Sequence, residues 1–488
     1  MRRTLVLLTA ALVCHQTTVA QIVRTHVSGG ATPYALSTDY QAIGFNPALM
    51  TGALWSSNAL GTSGSFEGGV KVSSSALSQP DLWGQLFERQ DTEAGSLDDE
   101  RWLEALANEE LGVQASLTTL GMARKLGRWS IGYVNRRSLQ ASIDLGNGLA
   151  ELVTNGGLGL YDDVLVDGLV TSTASLGADW DGEWTGFALD STLNQSSLLE
   201  GTSLRIQSVR THDLAISKCW GDPMEGWQLH TGVTGRLILG NAMFDLDATG
   251  GQATAFSASS GGFSLATMQN LDSLFTRGFT PSIQHLIQPA GKGWGGDAGI
   301  ALTKGERLLI TAAVTDLGRM EWRGTAYGTE EVTLSPDLFG ASDMAVDADG
   351  WLDGAVDFLT ADAWFLGGKD TVMVQRMAPT YALGAAFRPW SPLVLAGNVT
   401  GTHMDAFGND GMGWGLTMGL QVLQSLCLET GIVQNRNESR TMPVALRLVT
   451  KGGWEMGLRM DDVSSLWQES HAALSGQWCF MRWHVGAL

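Results

Sequence analysis

The chain has 488 residues, 16% of them charged and 44% hydrophobic, with 30 basic against 50 acidic side chains for a net charge of -20. Soluble domains carry nearer a quarter charged residues, so this surface is short of charge for water on all sides. The acidic balance also excludes the basic stripe that a nucleic-acid binder needs. The 62 glycines follow no Gly-X-Y period, which excludes a collagen, and 18 tryptophans against 6 tyrosines suit membrane interfaces as well as cores.

Met1–Ala20 reads as a secretory signal peptide: Arg2 and Arg3, an apolar stretch Thr4–Val13, then Thr18-Val19-Ala20 before Gln21. The apolar stretch is too short to span a bilayer. Cys14 follows Val13 where a lipobox wants Gly, Ala or Ser, so a lipoprotein is disfavoured. Cleavage leaves Cys219, Cys427 and Cys479, an odd set without a CxxC pair, so three free thiols are expected and neither a disulfide framework nor a zinc site. No later stretch offers 18 uninterrupted apolar residues. An exported chain of this kind is either a soluble β protein or a membrane β-barrel.

From Trp227 the residues Trp227, Leu229, Thr231, Val233, Gly235, Leu237 and Leu239 alternate with Gln228, His230, Gly232, Thr234 and Arg236. This period of two outlasts the usual 5–6-residue globular strand and fits the ~9–11 residues of a tilted membrane strand. Trp414–Val422 and Trp454–Asp461 alternate likewise, and the C-terminal segment sets Cys479, Met481, Trp483 and Val485 against Phe480, Arg482 and His484. Further runs lie near 112–125, 128–143, 202–218, 293–304, 307–316, 379–388, 393–402 and 443–451. Trp227, Trp414, Trp454 and Trp483 stand near run ends, as an aromatic girdle requires. The competing reading makes them core anchors of a sandwich. Lys304-Gly305 and Gly452-Gly453 are tight-turn signals, whereas other connections are long and acidic.

The pattern predicts an all-β fold, a transmembrane antiparallel barrel of about 14 strands, with an N-terminal segment and short loop or lumen helices. Residues 58–488 form the barrel and 21–57 precede it, with helical inserts near 81–111, 146–170, 268–288 and 342–360. Ser96 caps the first insert ahead of Asp98, Asp99 and Glu100; Gly148–Val153, Leu271–Phe275 and Trp351–Leu359 are the other helical stretches.

Near the start stands Ser37–Leu49, in which Pro47 suits the first position of a short helix that Asn46 caps. An Asn46-Pro47-Ala48 element ahead of long alternating strands resembles the FadL-like outer-membrane proteins, where the matching segment is a hatch inside the barrel. A longer likeness is to DUF5723, an uncharacterised family of Bacteroidetes outer-membrane proteins. It rests on the Asn-Pro-Ala segment, the acidic insert, Asn135-Arg136-Arg137 followed by Leu145–Gly148, Gly240-Asn241-Ala242, and Ala313–Gly318 leading to Trp322. The DUF5723 resemblance implies an outer-membrane barrel and supplies no activity, whereas the FadL likeness implies passive passage of small hydrophobic molecules and a hatch of Asn46, Pro47 and Ala48. The partners it implies are outer-membrane lipid and lipopolysaccharide, the barrel-assembly machinery and a small hydrophobic ligand. The chain departs from such barrels in ending Gly486-Ala487-Leu488 rather than on an aromatic residue.

Other motifs carry little chemistry. Gly291–Gly296 spells GxGxxG, but a strand-like run follows instead of a helix, so a glycine-rich turn or strand start is expected. Asp347, Asp349 and Asp353 are a weak calcium set, with Ala345 and Val356 where two ligands belong. Asp179–Trp184 is an acidic, aromatic loop. His212-Asp213 could polarise a serine, yet no GxSxG occurs, and no HExxH pair is present. No enzyme, cofactor or metal is expected. His230, Arg236, Glu455 and Arg459 fall on polar strand faces and are expected in the lumen. The rival functions are a non-transporting scaffold for secretion or surface-anchoring partners, and a soluble secreted β protein that binds carbohydrate.

Overall fold

The computed structural model describes residues 19–20, 22–24, 26–27, 29–52, 60–74, 111–150, 163–166, 168–175, 198–221, 226–249, 252–260, 289–328, 368–402, 411–423, 425–434, 440–467 and 473–485. Fourteen strand positions form one sheet. β1 is Gly61–Ser65 and Glu67–Ser74, broken at Phe66, whose φ is +54°. Then follow β2 (Leu111–Leu126), β3 (Trp129–Asp144), β4 (Ser203–Trp220) and β5 (Trp227–Thr249). β6 comes in two pieces, Gln252–Ser259 and Gly291–Lys304, which line up along β5 with Ser259 opposite Ala242 and Gly291 opposite Gly240. β7 is Leu308–Gly328. β8, Lys369–Met377 and Thr380–Trp390, is interrupted at Ala378-Pro379, where proline has no N–H to give the ladder. The remaining strands are β9 (Leu393–Thr402), β10 (Gly411–Leu423), β11 (Leu426–Gln434), β12 (Val444–Val449), β13 (Trp454–Met460) and β14 (Ala473–Val485).

Each position pairs antiparallel with the next, and β14 pairs with both pieces of β1, so the sheet closes into a barrel with no free edge. Closure overturns the sandwich reading. The tryptophans point the same way: Trp129, Trp220, Trp227, Trp390 and Trp483 are all exposed, near the tight turns, with Trp294 and Trp414 toward the long connections. Between these levels the outward face is apolar, carrying exposed Ile131, Leu214, Val233, Ile300, Leu383 and Leu416. No described helix is long and apolar enough to cross a membrane. Leu383 is 65% exposed in the outward row of β8. Leu383→Arg is therefore expected to cost about 2–4 kcal/mol in guanidinium unfolding from liposomes.

The tight turns follow their glycines, with Gly305 at φ +55° and Gly453 at +80°. Two expectations change. The C-terminal strand bulges between Cys479 and Arg482, opposite Gly457 and Glu455, so its two faces exchange midway. Cys479 therefore lies buried on the inner side with Arg482 and His484, while Phe480, Met481 and Trp483 face out. The stretch 146–170, expected to hold helix, is helical at 147–150 but reaches a hairpin of Asp163–Val166 and Leu169–Ser172. The sequence Asp167-Gly168 is a hairpin turn signal, and Gly168 has φ +76°. The GxGxxG stretch lies in a strand, the second piece of β6.

Of the expected leader Met1–Ala20, residues 1–18 fall outside the described residues, and Val19–Ala20 pairs in parallel with Arg376 and Met377. The expected helices of 81–111, 268–288 and 342–360 fall outside the described residues almost entirely, as do Asp179–Trp184 and the calcium set Asp347, Asp349 and Asp353.

Candidate functional site: a filled lumen

The described residues of 22–52 lie inside the barrel, and most of them are buried. The segment makes one helical turn at Pro33–Leu36 and 3-10 turns at Asp39–Ala42 and Pro47–Met50. Asn46 accepts the Ala48 N–H at 3.1 Å, and Pro47 fills the first helical position, where a missing N–H costs nothing. The Asn46 Nδ2 also donates to the Ile300 carbonyl of β6 at 3.4 Å. Leu36, Tyr40, Ile43, Leu49 and Met50 form one apolar cluster with inward wall residues such as Val134 and Leu309.

The wall meets this segment with glycine. A Cβ at Gly121 would overlap the Tyr40 ring, and one at Gly232 would overlap the Pro47–Ala48 backbone. Glycine on the polar strand faces is thus the space that the segment occupies. Gly232→Val is expected to loosen it without opening the barrel, since overpacking costs about 1–3 kcal/mol. Proteolysis within 22–52 should then quicken about tenfold, while the strands stay protected.

Two groups of buried charge tie the segment to the wall. In the first, Arg236 of β5 donates to Asp213 of β4 (2.8 Å), Asp297 of β6 (2.7 Å) and Asp316 of β7 (2.6 Å). Arg136 of β3 shares Asp213 at 3.3 Å and donates to the Ile43 carbonyl. Arg24 of the segment pairs with Asp316. Asp316 adopts φ +61° and gives its N–H to Asp297 at 2.9 Å. Three guanidinium groups thus face three carboxylates, which offsets the cost of burying each one.

The second group surrounds Glu455, which pairs with His484 and accepts from Arg482 at 3.1 Å. Arg482 also donates to Asp39 of the segment at 2.6 Å. Tyr40 donates to Glu67, and the Gly29 N–H donates to Glu429 at 2.8 Å. His26 gives its N–H to Gln477 at 2.9 Å, and Arg459 donates to the His26 carbonyl at 3.2 Å. Burial, reinforced by the Arg459 charge, holds the His26 imidazole well below its usual range and so neutral. Burial beside the Glu67 carboxylate pushes the Tyr40 hydroxyl well above its usual range.

The lumen is layered along β5. His230 bonds Thr51 and Thr303 at 3.1 Å each, Gly232 abuts Pro47, and Arg236 sits in the first charge group. Ile238 then opens an apolar layer toward the long connections, with Val209, Met243, Phe256, Met320 and Trp322. Trp322 lies across Gly240 and Gly291 and donates to Gln375 at 2.9 Å. His230, Arg236, Glu455 and Arg459 are all buried on the inner side of the wall. The sequence reading did not single out Arg24, Tyr40, Asp297 or Asp316, and it weighed Asp213 only as a partner for a nucleophile. The available signal was an acid at an inward position of an alternating strand. Among the described residues, no group of three or more His, Cys, Asp or Glu could hold a metal, and Cys219, Cys427 and Cys479 are free.

Residues 169–361 match DUF5723, a family of unknown function, so the likeness drawn from the motifs holds over that stretch. No curated protein matches the sequence. Similar solved structures include the toluene transporter TodX of P. putida, at 12% identity and TM-score 0.48, covering 94% of this chain and 99% of that one. The toluene transporter TbuX of Ralstonia pickettii is similar at 9% identity and TM-score 0.42, covering 94% and 99%. A Pseudomonas aeruginosa FadL homologue is similar at 10% identity and TM-score 0.40, covering 94% and 98%.

Proposed function

We propose that the protein is an outer-membrane barrel that passes small hydrophobic molecules without an energy source, with residues 22–52 as its hatch. The observation that carries this is the apolar layer of the lumen. Water-filled barrels line their interior with polar groups, whereas here Ile238, Phe256, Met320 and Trp322 face inward above the charged layer. A solute entering from the long-connection side would partition into that layer and proceed when the hatch yields around Asn46-Pro47. Uptake into proteoliposomes tests it. Apolar solutes should enter faster than polar solutes of the same size, and faster still in a chain lacking 22–52. Equal rates for intact and deleted chains would remove the transport claim.

A second reading, a barrel that scaffolds partners without transporting, is favoured by the close fit of the hatch against glycine and by its buried ion pairs. Stoichiometric copurification of partner proteins, with no uptake of any solute, would support that reading instead.

A further inference from the structure

We propose that the tight-turn end of the barrel binds an anionic phospholipid, its headgroup at Lys218 and its chains in a groove on the outer wall. This rests on the outer-membrane reading. The segments at that end, 124–128, 218–227, 304–307, 388–393, 421–426 and 449–454, carry eight Lys or Arg against three acids. The rest of the chain holds 22 of the 30 basic residues and 47 of the 50 acidic ones, so positive charge is concentrated at this end.

The cations there sit among indoles. The Lys218 ammonium lies 3.7 Å from the Trp220 ring centre and 4.6 Å from that of Trp129, and Lys304 lies 5.2 Å from Trp227. An ammonium on an aromatic belt sits where the apolar stem can stay in lipid while the charge reaches the headgroups.

From this pair a groove of about 970 Å³ runs over the outer wall. It follows a paired row from Trp129 through Lys218, Thr231, Ile300 and Ala312 to Leu383. Barrel strands are tilted, so a row across them climbs through the membrane from the turn end. Ala298 and Ala312 leave the groove deep. A second copy of the chain would need only an apolar seam. A trough with a cation at one mouth fits an amphiphile with an anionic head, and short turns face the leaflet that supplies phospholipid.

The test is native mass spectrometry of the full chain, delipidated in detergent and offered equal phosphatidylglycerol, phosphatidylcholine and lipid A. Phosphatidylglycerol should be retained about fivefold better, as one cation near a lipid headgroup allows. Lys218→Gln should remove that preference, Ala312→Trp should displace both phospholipids by filling the groove, and Lys451→Gln should change neither. Equal retention of the two phospholipids, an unaltered preference in Lys218→Gln, better retention of lipid A, or dimers sealed by the groove would each overturn the proposal. Recovery of the chain from a carbonate-washed soluble fraction without detergent would instead remove the membrane reading beneath it.

Discussion

Cysteines at Ala35 and Gly384, in a chain whose own cysteines are serine, are expected to stop uptake when oxidised and restore it when reduced. A Cβ on Gly384 would stand 3.2 Å from the Ala35 side chain, close to the Cβ separation of a disulfide. The bond would join the hatch to β8, with the Thr311 hydroxyl of β7, 2.7 Å from the new Cβ, turning aside to admit it. Among the described residues, 22–52 fill the lumen between the turn end and the apolar layer, so a route through the barrel needs this segment to shift. Apolar uptake into proteoliposomes should fall at least tenfold on oxidation and return with dithiothreitol. Uptake unchanged by the lock would mean that solutes do not pass the hatch.

Arg236→Met is expected to be the most destabilising single change in the wall. Its guanidinium is fully buried and bonds three carboxylates on three different strands. Methionine keeps the length of the stem but gives nothing back to the acids. Asp213 retains Arg136 and Asp316 retains Arg24, whereas Asp297 is left with the Asp316 N–H. Removing one partner of a buried ion pair costs about 3–5 kcal/mol, because a charge stays behind without its counterion. Guanidinium unfolding should show a loss of that size. The double variant Arg236→Met/Asp297→Asn should recover part of it, because the stranded charge has gone. A loss below about 1 kcal/mol would show that water reaches these acids, and that the charged layer does not seal the lumen.

The wall was legible because alternation over Trp227–Leu239 or Trp414–Val422 is a one-dimensional signal. It sets both the strand and the face turned outward, and the runs named from the sequence mark every one of the 14 positions except β1 and β11. The exceptions are places where the chain leaves its period. Asp316 at positive φ reverses the faces of β7, the bulge after Cys479 reverses those of β14, and β6 resumes beyond Ser260 after a long excursion. A bulge adds one residue, which hydrophobicity alone does not mark.

The filled lumen was less legible. Asn46-Pro47 announces a capped turn, but Arg24, Asp39 and Tyr40 owe their partners to strands hundreds of residues away, such as β7 and β14. Wall glycines such as Gly121 and Gly232 read as small polar-face residues until the Tyr40 ring and the Pro47 backbone are seen against them. Likewise Asp213, Asp297 and Asp316 gain meaning only through Arg236, which brings three strands to one point.

The lipid-facing outer wall is tested most directly by fluorescent labels on single cysteines at Leu229, Val233 and Leu237, in a chain reconstituted into liposomes. All three side chains point away from the lumen on β5 and are exposed. Lipid-borne nitroxide should quench all three labels, at depths that progress steadily from the turn end, while aqueous iodide leaves them bright. Quenching by iodide at all three, without any dependence on lipid depth, would contradict a barrel whose outer wall meets hydrocarbon.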